Sequence, residues 1–318
     1  MTKINTITTA ATILFFSLSL LNSLSVTADV QTALPTIYIL PDGSIDPPTA
    51  PILRDGNTYT FTGDAFARLN IQKGNTVIDG AGYTLRGPYN GTKADIWIIG
   101  DGPNVPNNET VVPWVIGVDL GGTDVNGLTI KNLNVKNFSI GMYIWTENNT
   151  VTGNAVSENI VGVLLSGSVN AITKNYIGKN EMGIYFGVNQ PGEIPLNLEI
   201  SHNYFDSNKK HLSGCLCKEL YTTEPIHAWD DGKEGNYWSD YNGTDGNNDG
   251  IGDKPYVVDA LNQDRYPLTQ IPFSMPTVAQ TVPFELIIAA LAVAILVVTV
   301  ALTLRKRKKT TKEQRIPN

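Results

Sequence analysis

Cysteine and histidine are scarce in this chain, 2 and 3 residues of 318. Two cysteines, Cys215 and Cys217, cannot build a disulfide framework. Charged residues make up 17%, and no arginine stands between Arg86 and Arg265. Basic residues are the scarcer charge in the body: Asp29 to Pro283 holds 15 Lys+Arg against 28 Asp+Glu, a net of -13. That balance argues against a nucleic-acid partner. Charge disappears altogether from Leu286 to Leu304, nineteen residues long, and the tail beyond carries seven basic residues and one acidic. An even 42% hydrophobic content would suit a soluble globule, but the apolar residues gather at the two ends.

The ends set an address. Lys3, an apolar stretch near Ala11 to Leu24 and Val26-Thr27-Ala28 have the three parts of a secretory signal peptide, residues 1–28. Near the other end, residues 284–304 meet the need for about 20 apolar residues to cross a ~30 Å hydrocarbon layer as a helix. Arg305-Lys306-Arg307-Lys308-Lys309 follows, and such clusters stay cytoplasmic, so 305–318 is a cytoplasmic tail and 270–283 a Pro-rich linker. The expected protein is a single-pass, type I cell-membrane protein with its body outside. Five glycosylation sequons then lie on exported chain, at Asn90, Asn108, Asn137, Asn148 and Asn242.

The body repeats every 21 residues. Gly141, Gly162 and Gly183 share that spacing, as do Ile130, Val151 and Ile172; Val135, Val156 and Ile177; and Ile144, Leu165 and Phe186. A further copy follows at a step of 28, with Ile200 and Phe205 in the frame and Gln190 to Leu196 as the insertion. Asn154, Asn175 and Asn203 form one asparagine column, and Asn159, Asn180 and Asn208 another. So short a unit with apolar residues in short runs predicts a coil of three strands, stacked as a right-handed parallel β-helix with a continuous core and amides bonded along the stack. A leucine-rich solenoid of similar period would need a Leu frame that is missing. The glycine column suits a tight corner. The spacing places an N-terminal cap at 29–74, coils at 75–214, with a long surface excursion over 88–113, and a C-terminal cap at 215–269.

The coils, with Trp229-Asp230-Asp231-Gly232, Gly235-Asn236-Tyr237-Trp238-Ser239-Asp240-Tyr241, Asp249-Gly250-Ile251-Gly252-Asp253-x-Pro255-Tyr256 and Asp264-Arg265-Tyr266-Pro267-Leu268, resemble the NosD-like family of β-helix repeats, over most of Ile37 to Leu268. The resemblance implies a β-helix fold, an exported location and affinity for polysaccharide. It also brings in pectin-degrading relatives and an accessory role toward a copper enzyme.

Catalysis finds little support in the residues. The Gly-His-Gly of β-helix hydrolases is absent, and the arginine base of lyases has no candidate among the coils. Lysines at 131, 136, 174 and 179 read as solvated positions, and Glu158, Glu181 and Asp206 cannot be placed from sequence at the separation a carboxylate pair needs. Asp245-x-Asn247-x-Asp249-Gly250-Ile251-Gly252-Asp253 has the spacing of a calcium loop, with Ile251 offering its carbonyl, but Tyr256 stands where a bidentate Glu would be; Asx turns explain the same residues. Cys215 and Cys217 with His211 and His227 would suit copper or zinc, but Cys-x-Cys is a poor spacing for chelation by a single turn, a strained local disulfide or a role in pinning the cap accounts for the cysteines better, and copper is not expected. Trp145, Trp229, Trp238 and Tyr241 are candidates for stacking on sugar rings, or, at the cap, for sealing the last coil. The expected function is non-catalytic polysaccharide binding or a structural surface role. The alternatives are a polysaccharide lyase or glycoside hydrolase, and a copper-related accessory protein.

Overall fold

The computed structural model describes residues 34–89, 115–122, 124–187, 195–214 and 226–271. The signal peptide, the membrane span, the cytoplasmic tail, most of the 88–113 excursion, Cys215 and Cys217 lie outside these residues. Among the described residues no helix is long and apolar enough to cross a membrane.

The described chain is all β, wound as stacked coils of three strands. One coil runs through Thr129–Lys131, Asn134–Lys136 and Ile140–Ile144, and each strand pairs in parallel with its equivalent a coil away. Three long sheets result: an eight-stranded first sheet containing Ile140–Ile144, a six-stranded second containing Asn134–Lys136 and a seven-stranded third containing Thr129–Lys131. The repeat read from the sequence is the register. Val151 pairs with Ile130 and Ile172, Val156 with Val135 and Ile177, and Val163 with Met142 and Ile184. The 28-residue step continues it, pairing Ile172 with Ile200 and Ile177 with Phe205. These inward side chains form one core from Ile37 to Trp238.

Each coil has three corners, all built alike. A residue in the left-handed region is followed by an asparagine or an apolar residue that points inward. The left-handed positions are Gly127, Asn148, Val169 and Asn197 at one corner, Asn132, Gly153, Lys174 and His202 at the next, and Asn137, Glu158, Lys179 and Ser207 at the third. Holding an L-residue there costs roughly 1–2 kcal/mol, and the asparagine that follows offsets it. Asn175 illustrates how: its Oδ1 accepts from the Asn154 backbone N–H at 2.9 Å, and its Nδ2 donates to the Val151 carbonyl at 2.8 Å. The ladder runs on unbroken, Leu133 N–H to Asn154, Asn154 to Asn175, Asn175 to Asn203, Asn203 to Asn236. A second runs from Phe138 through Asn159 and Asn180 to Asn208. A third, Leu128 to Asn149 to Asn170, is equally regular.

The glycine column lies inside strands rather than at corners. A Cβ on Gly162 would sit 2.6 Å from the Gly183 carbonyl oxygen, and one on Gly141 the same distance from that of Gly162. Glycine is required there by the closeness of the next coil. Around it the alternation slips by one residue, so Ile140 faces an outer apolar cluster while Met142 and Ile144 face the core.

Both expected cap boundaries shift. Thr36–Ile39, Arg68–Ile71 and Thr58–Phe61 already belong to the parallel sheets, so coils begin well before residue 75. The closing devices at this end are antiparallel pairings, Tyr38–Ile39 with Ile45–Asp46 and Ile52–Asp55 with Thr58–Phe61. At the other end Tyr237–Trp238 extends the second sheet and Ala228 bridges Glu199 of the third, so the C-terminal cap begins as one more incomplete coil. Its floor is a stack in which Trp238 lies on Phe205 at 4.3 Å and Tyr256 on Trp238 at 4.2 Å. Asp230 clamps it, accepting from Arg265 Nη2 at 2.6 Å and Nε at 3.0 Å.

Candidate functional site

On the second sheet the middle residue of each strand turns inward and its neighbours turn out. Tyr176, Tyr204 and Tyr237 therefore follow one another in register on the outer face. Their rings are 5.4 and 4.6 Å apart, each half-buried. The phenol of Tyr176 reaches across Gly178, where a Cβ would meet it at 2.4 Å, and donates to Asp206 Oδ2 at 2.9 Å. Burial, followed by the Asp206 carboxylate, holds that hydroxyl protonated far above its usual range. Glu158 acts on the same hydroxyl and lines a groove of about 450 Å³ along the neighbouring corner, with Tyr89, Asn137, Lys179, Glu181 and Lys209. Glu181 and Lys209 are an exposed ion pair at 2.9 Å. A row of aromatic rings beside a trough of amides and charges offers π-faces and hydrogen-bonding groups together, the combination that orients a polar ring ligand.

Of the aromatics expected to bind sugar, Trp229, Trp238 and Tyr241 gather at the floor of the core and Trp145 lies apart from them. Trp229 and Trp238 are each 1% exposed. Phe205 and Tyr256 cover the faces of Trp238 and Phe186 meets Trp229 at 69°, which corrects both tryptophans from ligand contacts to the floor of the core. Tyr241 packs against that floor and donates to the Lys254 carbonyl at 2.7 Å. Trp145 lies on the first sheet, half-buried beside Tyr143, with its indole N–H on the Leu120 carbonyl. The sequence reading passed over Tyr176 and Tyr204, although they stand 28 apart, in step with the asparagine columns.

The expected soft-metal set divides. His211 touches Phe205 and Trp238, and its Nε2 lies 3.3 Å from Asp240 and from Ser239. His227 is stacked on Phe186 beside Trp229, 6% exposed, with neither ring nitrogen hydrogen-bonded. Burial pushes its imidazole down to about 4. Among the described residues no three His, Cys, Asp or Glu converge as a metal-binding group, and Cys215 and Cys217 of the expected set lie outside them.

The expected calcium loop is knotted by its own bonds. Asp245 accepts from the N–H groups of Asp249 and Gly250 and from Thr269, and Asp253 from Gly246 N–H and Thr244. Asp249 accepts from Ile251 N–H, while the Asn247 amide donates to it at 2.9 Å. Of the sequons, Asn148 and Asn242 are exposed, Asn137 lines the groove, and Asn90 and Asn108 lie outside the described residues.

Comparison with known proteins agrees with this architecture. Residues 96–243 match the family model described as periplasmic copper-binding protein (NosD). The match ends before the 249–268 segments. A protein of Stutzerimonas stutzeri named as a probable ABC transporter binding protein NosD is 29% identical over 150 residues, covering 41% of this chain. The chain spans about a third of that relative, 31% of its length. The chain is thus similar to NosD over the matched segment, and its described residues form a β-helix of three largely parallel sheets.

Proposed function

We propose that the chain is a non-catalytic, extracytoplasmic β-helix, held at the membrane by residues 284–304, that binds a polysaccharide along the outer face of its second sheet. The observation that carries this reading is the in-register row of Tyr176, Tyr204 and Tyr237 beside the corner groove. The periplasmic description of the matched family supports the exported location. A repeating ligand suits a repeating surface, because outward side chains recur at every coil, ~4.8 Å apart.

The test is retention of the purified full chain, in non-ionic detergent, on immobilised polysaccharides of defined composition. Wild type is retained by at least one of them. A Tyr176→Ala/Tyr204→Ala double variant binds about tenfold more weakly, the equivalent of ~1.4 kcal/mol, with its far-UV circular dichroism unchanged. Equal binding by the double variant, or no retention on any polysaccharide, sinks the reading. Release of new reducing ends or unsaturated uronates from the bound polymer would transfer the protein to the lyase and hydrolase class.

A further inference from the structure

The second sheet carries a different feature near its N-terminal edge. Arg86 and Lys136 are register partners on adjacent coils, with Arg86 exposed and Lys136 half-buried. Like charges side by side on a ladder repel one another, and the body as a whole is strongly acidic. Elsewhere Lys131 pairs with Asp79 at 3.2 Å, Lys209 with Glu181 and Arg265 with Asp230. No ion pair or hydrogen bond of the Arg86 or Lys136 side chain is formed among the described residues. Between them and the edge lies Phe66, 53% exposed, with the Arg86 guanidinium 5.8 Å from its ring centre. Phe66, Arg86, Lys136, Thr84, Ala65 and Asp64 line a cavity of about 320 Å³. Asp64 commits Oδ1 to the Thr84 N–H at 2.8 Å.

From this geometry we infer that the polysaccharide is anionic, and that Arg86 and Lys136 take an acidic group of one sugar while Phe66 offers its face to the ring. The inference rests on the reading of the second sheet as the binding face, and supplies the charge class of its ligand. Arg86 and Lys136 lie in the outward column that continues through Ser157 and Gly178 to Asp206. Lys136 and Gly178, over which the Tyr176 phenol rests, are two coils apart, ~10 Å. An extended chain lying along the coil axis would meet the cations first and the tyrosine row next.

Homogalacturonan tests this without changing the sugar, since methyl esterification removes its charge and keeps its backbone. The full chain in non-ionic detergent binds the de-esterified polymer at least tenfold more tightly than the fully esterified one. Arg86→Gln/Lys136→Gln removes that difference, flattens the salt dependence of binding and leaves the thermal melt in place. Dextran sulfate as a third probe separates the sources of charge: equal retention means the pair reads any anionic group, and weaker retention means it reads carboxylates. Equal affinity for the two homogalacturonans overturns the inference, as does a double variant that still prefers the acidic form. If the Tyr176→Ala/Tyr204→Ala variant loses binding in that same experiment, the binding face stands and only the charge class falls.

Discussion

The carboxylate of Asp264 stands beside Asn236 in the place where each earlier rung has the amide of the next asparagine. It accepts from the Asn236 backbone N–H at 2.7 Å and from Trp238 Nε1 at 2.9 Å, and its other oxygen takes the Tyr266 N–H at 3.1 Å. Every donor aimed at it is an N–H, so an acceptor-only group fits and an amide does not. Asp264→Asn turns an NH₂ toward one of these donors, and a loss of about 1–3 kcal/mol is expected, read as a lower urea midpoint at unchanged m-value. A midpoint equal to wild type would show that the ladder needs no acidic end.

Asn175→Ala removes an interior rung. It strips the acceptor from the Asn154 N–H and the donor from the Val151 carbonyl, both in the core. The expected cost is about 2–4 kcal/mol, with Leu no better, because the missing bonds rather than the missing volume dominate. Urea denaturation of both variants decides it; a Leu variant as stable as wild type would make the asparagines replaceable by apolar packing.

His227 gives the cap a pH dependence. Its imidazole is held neutral down to about 4, whereas the unfolded chain protonates near 6.5. Below 6.5 the unfolded state binds the extra proton, so stability is full above that pH and declines as pH falls toward 4, by up to about 3 kcal/mol. His227→Phe keeps the stack on Phe186 and forfeits no hydrogen bond. The variant should match or exceed wild type at pH 7 and lose less of its melting temperature between pH 6.5 and 4.5. An acid profile identical to wild type would place the acid sensitivity elsewhere.

The loop from Asp245 to Asp253 should not need a cation. Seating one between Asn247 and Asp249 would require breaking the hydrogen bond that the Asn247 side-chain amide donates to Asp249. EDTA is expected to leave the melting temperature within about 1 °C, while Asp245→Ala, which frees two backbone N–H groups and Thr269, lowers stability by about 1–2 kcal/mol. A clear fall with EDTA, restored by Ca²⁺, would restore calcium to the loop.

The coils were legible in the sequence because their determinants recur. Val151 and Ile172 sit one coil apart because stacking forces equivalent residues into contact, and the Asn154 column is visible for the same reason. The Asn149–Asn170 column obeys the same step and was readable but unread. The site was harder. An inward Trp238 and an outward Tyr237 are neighbours of like composition, and only the parity of one strand separates core from surface. The Arg86–Lys136 pair was beyond reach for another reason: 50 residues and a long insertion hide that these two belong to successive coils.

The corner ladders also give the rod a direction. Each asparagine satisfies a backbone N–H of the coil made before it and leaves its own for the coil made after. The first members, Leu128, Leu133 and Phe138, ask nothing of what precedes them. Removing coils from the early end therefore leaves an asparagine side chain without the N–H and carbonyl it bonds, whereas removing them from the late end leaves a backbone N–H without its acceptor. In a chain exported amino end first, as proposed, every emerging coil completes its predecessor, and Asp264 closes the ladder that runs through Asn236.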